Sequence, residues 1–304
     1  METFEVVMIG NTAVGKTSML SALANELDAY NLSGNVALEP TTSEFKELQH
    51  QWNKMVERVE ESAPFTTLTE GIEGTKMDFI PHEFKFQVDG DDQARVLFTD
   101  TRGGMTNDLD ERLLAKVGEA FGVFCVVDAS VLMECPASKN EKYNCPQFVK
   151  KLLGEIYRKN GGSKPRFVSF ILTKCEKYMA SAMGRRELAD KFHEKYDNIV
   201  DMLRRSNCPP KTYLLAIQTM GCVTFFKLDN DGWPEFRILP KKEIKTKDCA
   251  YPLVILLRNL IEALDSETGF WDWVKKVFGL KKDLRRYYNE LDTRVDIPEL
   301  YEEL

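Results

Sequence analysis

Residues 4–17 constrain this chain more than any other stretch. Phe4-Glu5-Val6-Val7-Met8-Ile9 is a short, mostly apolar run. It meets Gly10-Asn11-Thr12-Ala13-Val14-Gly15-Lys16-Thr17, a G-x-x-x-x-G-K-T motif, and Ser18-Met19-Leu20-Ser21-Ala22-Leu23-Ala24 follows with a helical pattern. Strand, loop and helix are the setting that a phosphate-binding loop requires. Gly10 and Gly15 accept backbone angles closed to other residues and let main chain approach a ligand closely. The loop amides converge at a helix N-terminus, which favours anions. Lys16 offers a compact cation to the outer phosphates, and Thr17 offers a hydroxyl to Mg²⁺. Gly10 to Ser18 therefore form a candidate site for a nucleoside triphosphate. The motif leaves open the base and the fate of the phosphate.

The chain has 304 residues, enough for one elaborated domain or two small ones. Hydrophobic residues make up 43% and charged residues 29%, the balance of an ordinary globular protein. The formal net charge of -7 argues against nucleic acid as the main partner. No basic, apolar leader precedes the first strand, so no secretion signal is expected. No run approaches the roughly 18 apolar residues of a membrane span. Cysteines at 125, 135, 145, 175, 208, 222 and 249 form no C-x-x-C pair. Free thiols in a reducing, cytoplasmic setting are the expectation. Cys135 and Cys145 share a polar stretch; a redox pair or metal ligation is the other reading, with no nearby histidine to complete a zinc pattern.

Apolar strands alternate with amphipathic helices. Strands are expected at 79–88, 94–99, 123–128, 166–172 and 212–217, and helices at 16–27, 109–120, 147–158, 186–205 and 251–264. This alternation predicts an α/β sandwich, a mostly parallel sheet with helices on both faces. Val88-Asp89-Gly90-Asp91-Asp92 reads as a hairpin turn, and Pro81 marks an edge strand, so one antiparallel edge strand is expected. Residues 28–34 read as a turn, 134–146 as a polar loop, and 222–239 as a hairpin turning at Asp229-Asn230-Asp231-Gly232. Phe45, Leu48, Trp52, Met55, Val56 and Val59 recur at helical spacing within an insert at about 40–63, where Thr41 and Glu44 suit a capping box. That helix either packs on its own domain or serves as a lid or docking face. Residues 65–76 form a loop rich in threonine and glycine. One nucleotide-binding domain over 1–265 is expected, with a C-terminal helical extension over 266–304. That extension is aromatic and basic at 270–288 and acidic at 299–304. It either covers its own domain, docks a partner or lies on a membrane surface.

Parallel sheets bind ligands at the carboxyl ends of their strands. Four such ends carry informative residues. The first is the phosphate loop. The second is Asp100, a carboxylate suited to Mg²⁺, with Gly103 offering an unhindered amide where a γ-phosphate would lie. The third is Thr173-Lys174-Cys175-Glu176. Its carboxylate can accept hydrogen bonds from the guanine N1–H and N2–H₂ edge, and the lysine stem can lie across the base. The fourth is Ala216-Ile217-Gln218, whose main-chain amides suit the guanine carbonyl.

With these motifs the chain resembles the Ras-like, translation-factor-related (TRAFAC) class of P-loop GTPases over about residues 4 to 265. Gly10–Thr17 match the phosphate motif, Asp100-x-x-Gly103 the switch II motif, and Thr173-Lys174-x-Glu176 the base motif. In general texture it looks most like the divergent bacterial GTPase domains of conflict and defence gene clusters. The resemblance implies a P-loop NTPase three-layer sandwich with Mg²⁺ and GTP or GDP as cofactors. It implies catalytic roles for Lys16 and for a switch I threonine that binds Mg²⁺ beside Thr17 and Asp100. Thr75 is the choice for that threonine, with Thr67 and Thr69 as rivals. Two departures matter. Glu176 stands where the class normally has aspartate, which keeps the acceptor chemistry but leaves an adenine nucleotide open. Gly104 stands where many relatives carry a water-orienting glutamine. A slow intrinsic GTPase acting as a switch is therefore expected. A protein partner would accelerate it through loops 65–76 and 101–107, the inserted helix or the C-terminal helix. A nucleotide-binding scaffold without turnover and an ATPase are the alternatives. Arg102 reads equally as a phosphate contact or a surface residue. Asp128, His50, His82 and His193 receive no role.

Overall fold

The computed structural model describes residues 2–30, 36–68, 78–88, 91–102, 109–158, 164–241, 243–266, 289 and 297–304. The first half contains β1 (Glu2–Ile9), α1 (Lys16–Tyr30), β2 (Val36–Pro40), α2 (Thr42–Glu61), β3 (Thr67–Leu68), β4 (Phe79–Val88), β5 (Asp91–Thr101), α3 (Glu111–Glu119) and β6 (Gly122–Asp128). The second half contains α4 (Ala129–Glu134), α5 (Ala137–Tyr143), α6 (Pro146–Arg158), β7 (Phe167–Thr173), α7 (Glu176–Met179) and α8 (Ala182–Arg204). It ends with β8 (Lys211–Ala216), β9 (Val223–Leu228), β10 (Pro234–Ile238), α9 (Tyr251–Ser266) and β11 (Tyr301–Glu303).

Eight strands form one sheet in the order β11-β8-β7-β6-β1-β5-β4-β2. The pairs β5·β1, β1·β6, β6·β7 and β7·β8 are parallel. Side-chain alternation along each strand sorts residues to two faces. Val6 and Met8 of β1 join one apolar cluster with α1 and α9. Val7 and Ile9 join another with α3, α6 and α8. Both faces are covered, so β6 and β7 are buried along their whole length and are mostly apolar. The α/β sandwich read from the sequence is the observed architecture. Among the described residues no helix is long and apolar enough to cross a membrane.

The structure corrects the edges. Two strands run against the parallel core, not one: β4 on one side, with β2 paired antiparallel to it at the outer edge, and β11 on the other. Strand β2 begins within what reads as polar chain after the turn, and β4 is therefore internal along Phe84–Val88. Pro81 is nonetheless accommodated, because β2 pairs only as far as Phe84 and Pro81 lacks a flanking strand on that side. The acidic chain end is not part of a helical extension. Residues 301–303 pair with β8, and His193 is held between Asp197 and Glu302 at 2.6 and 2.8 Å. Most of the 266–304 extension, residues 267–288 and 290–296, lies outside the described residues.

The expected insert helix is α2. Thr41 is its N-cap residue but makes no side-chain capping bond, and Glu44 instead meets buried His82 at 2.9 Å. The hairpin at 222–239 is β9–β10, joined by β3 into a second, three-stranded sheet. Met55 and Val59 of α2 pack on its root with Met220, Cys222 and Ile238. The stretch 134–146 holds short helices rather than a loop, and none of the seven cysteines is in a disulfide.

Candidate functional site

The site lies at the carboxyl ends of β1, β5, β6 and β7, four neighbours in the sheet. The loop after β1 is shaped by backbone demand. Gly10 has φ +154°, and a Cβ there would come 2.8 Å from the Val126 carbonyl oxygen. Gly15 has φ +103°. Both conformations exclude most side chains. The buried Lys16 ammonium donates to the carbonyls of Gly10 at 2.8 Å and Asn11 at 3.1 Å. It is thereby anchored within the loop. Burial lowers its pKa, with the Asp100 charge opposing. Asn11 accepts from the Thr12 amide at 2.8 Å and donates to the Lys142 carbonyl at 3.3 Å. Ala13 is left-handed, with φ 62°. Val14 is fully buried, and Ser18 lies half-buried in the first turn of α1.

Thr17 and Asp100 meet as expected. The Thr17 hydroxyl donates to Asp100 Oδ2 at 2.9 Å, and Lys16 Nζ is 3.7 Å from Asp100 Oδ1. A hydroxyl and a buried carboxylate beside a phosphate loop are hard oxygen donors, which fits Mg²⁺ with phosphate completing its shell. Among the described residues no group of three or more His, Cys, Asp or Glu forms a metal cage of its own. Gly103, Gly104, Thr69 and Thr75 lie outside the described residues. Thr67 is in β3, paired with Arg237. Arg102 is exposed and faces Asp78 at 3.9 Å.

The third strand end is tied to the loop. Thr173 donates its hydroxyl to the Val14 carbonyl at 2.5 Å. Lys174, left-handed at φ 54°, sends its ammonium 2.6 Å to Asp128 Oδ2. It also sits 6.0 Å from the Tyr143 ring centre and 5.3 Å from that of Phe236. Burial opposes the Lys174 charge, but Asp128 and Tyr143 outweigh it and raise the pKa. Glu176 is half-buried. Burial pushes its carboxyl up to about 7, against hydrogen bonds from the amides of Glu176, Met220 and Gly221.

Two sequence readings change here. The amides of Ala216 and Ile217 are committed to the carbonyls of Leu300 and Leu172, at 3.1 and 2.9 Å. The amides that face the Glu176 carboxyl belong to Met220 and Gly221, a few residues on. Asp128 is central rather than idle. Its Oδ1 caps α4 through the Ser130 and Val131 amides, and its Oδ2 holds Lys174. An acid ending an apolar strand is visible in sequence as a helix cap. No local pattern links it to a lysine 46 residues away. Tyr143 and Phe236 were equally invisible as neighbours of this site.

No family model matches the chain, and no curated protein matches it. Among solved structures, it is similar to a bacterial selenocysteine-specific elongation factor EF-Sec at 13% identity and a TM-score of 0.34. The match covers 72% of this chain but only 26% of the elongation factor.

Proposed function

We propose that this protein is a Mg²⁺-dependent guanine-nucleotide switch of the Ras-like, translation-factor-related class that hydrolyses GTP slowly. One observation supports this most: the phosphate loop, the Thr17–Asp100 pair and the Lys174–Glu176 segment converge at adjacent strand ends. Lys16 and the loop amides bind the outer phosphates. Thr17 and Asp100 would hold Mg²⁺, which when bound neutralises phosphate charge as it develops. Thr173 braces Val14, so a shift at the base end is felt by the phosphate loop. Lys174, aligned by Asp128, lies against the base. The Glu176 carboxyl accepts from the guanine edge, and the Met220 and Gly221 amides stand beside it. Turnover is slow because Gly104 supplies no side chain to orient water. Acceleration then requires a protein partner.

The test is to denature the purified protein, identify any released nucleotide, and follow phosphate release from GTP and ATP with Mg²⁺. GDP in the preparation with slow, GTP-only release supports the switch. Release from ATP alone refutes the guanine reading. Bound GTP with no release refutes the hydrolase and leaves a scaffold. Lys16→Ala should lose triphosphate binding; undiminished binding would remove the phosphate loop from the site.

A further inference from the structure

The hairpin β9–β10 plays no part in phosphate or metal chemistry, yet it lies across the base end of the site. It is fixed in three places. Its root is apolar: Met220, Cys222 and Ile238 pack against Met55 and Val59 of α2. Along its length, Phe236 faces Lys174 at 5.3 Å, and buried Phe225 lies under Lys177 at 4.5 Å. Its tip is held by polar and aromatic contacts to the α4–α5 segment. Lys139 donates to the Asp231 carbonyl and sits 4.7 Å over the Trp233 ring. The Cys135 thiol donates to the Gly232 carbonyl at 3.6 Å. Trp233 packs on Tyr143 with ring centres 5.5 Å apart.

The two ends differ in kind. The root is sealed by side chains that lose solvent on packing, which is costly to undo. The tip depends on half-exposed cation–π and aromatic contacts, each weak. A strap built this way is hinged at the root and latched at the tip. Lys174 and Tyr143 lie beneath it, and Tyr143 is the residue that the tip grips. The segment carrying Tyr143 also supplies the Lys142 carbonyl to Asn11 of the phosphate loop. The latch therefore closes on groups that belong to the nucleotide site.

We propose that β9–β10 is a strap over the base, and that Trp233 and Lys139, by latching it to α5, set how long a guanine nucleotide stays bound. This rests on the function proposed above. Phe236 and Trp233 are positioning residues: they confine the base end without touching the phosphates. Unlatching acts on release, because contacts that hold a formed complex are felt mainly in the dissociation rate.

The experiment uses the full chain loaded with a fluorescent GDP analogue and chased with excess unlabelled GDP. Lys139→Ala and Trp233→Ala should release the analogue about tenfold faster, and Trp233→Phe should restore most of the delay. Single-turnover hydrolysis of GTP bound to Lys139→Ala should match the unaltered protein, since that side chain touches no phosphate group. Lys139→Ala removes only one half-exposed side chain, so it keeps the test valid if Trp233→Ala fails to fold. Release within about twofold of the unaltered protein from Lys139→Ala, with its tip contact shown lost, overturns the strap while leaving the GTPase reading intact. Failure of the unaltered protein to bind any guanine nucleotide overturns both.

Discussion

Asp128 divides its two oxygens between two jobs, and Asn at this position would keep one and lose the other. Oδ1 accepts the Ser130 and Val131 amides at 2.9 and 3.1 Å, a role that an asparagine oxygen retains. Oδ2 accepts Lys174 Nζ at 2.6 Å, and an amide nitrogen there would face an ammonium with a donor. A hydrogen bond to a charged group contributes about 1.5–3 kcal/mol. Asp128 is 1% exposed and Lys174 27%, so the lower half of that range applies and Asp128→Asn should cost about 2 kcal/mol. In a chain of 304 residues that is a fall in Tm of roughly 3 °C. Asp128→Ala should cost about 1 kcal/mol more, because the cap goes as well. A double-mutant cycle with Lys174→Met, read by urea unfolding, should return a coupling of about 1–2 kcal/mol. A coupling under about 0.3 kcal/mol would refute the pairing as an energetic unit. On the proposed function, Asp128→Asn should also weaken GDP binding about tenfold, since the lysine loses the partner that aligns it.

Gly10→Ala places a Cβ 2.8 Å from a backbone oxygen at φ +154°. It should cost at least about 1–3 kcal/mol in strain and abolish nucleotide binding, as read by melting and by nucleotide titration; normal binding would contradict the loop geometry. Burial raises the Glu26 pKa to about 7, with the Ala250 amide opposing and the Asp248 charge adding. A raised carboxyl stabilises the fold at low pH, and that stability is lost as pH climbs from about 4.5 to 7. Glu26→Gln stays neutral, so above pH 7 it should be more stable than the native protein by up to ~3 kcal/mol. Urea unfolding at pH 5 and pH 8 checks this, and equal differences at both pH values would refute it. The Glu176 carboxyl, also raised to about 7 by burial, is a better acceptor when ionised. Guanine affinity should therefore rise with pH through about 7 in the native protein and stay flat in Glu176→Gln; parallel profiles would remove Glu176 from base recognition.

What the sequence reveals and what it conceals divide along physical lines. Gly10, Gly15, Lys16, Thr17 and Asp100 were legible because their chemistry depends on residue type at short spacing next to a strand. The parallel core was legible because β6 and β7 are buried on both faces and read as mostly apolar runs without a two-residue alternation. Strands β2 and β11 were not. Each is a short edge strand defined by its hydrogen bonds to a neighbour rather than by an apolar pattern of its own. The capping box failed because His82, 38 residues from Glu44, competes for that carboxylate. Asp128, Tyr143 and Phe236 come from β6, α5 and β10, and only the fold gathers them around Lys174.

The central position of β1 also has a temporal meaning. Val6 lies between Phe98 and Gly122 in the finished sheet. A ribosome adding about 5–20 residues per second needs roughly 5–20 s to reach the first of those partners. During that interval β1 has neither neighbour, and Gly10 has no Val126 carbonyl behind it. Pairings this distant in sequence form late, because the loop they close must first be ordered. A nascent chain of this protein thus carries a bare apolar strand for seconds, and its yield should depend on whatever shields that strand until residues 94–128 have emerged.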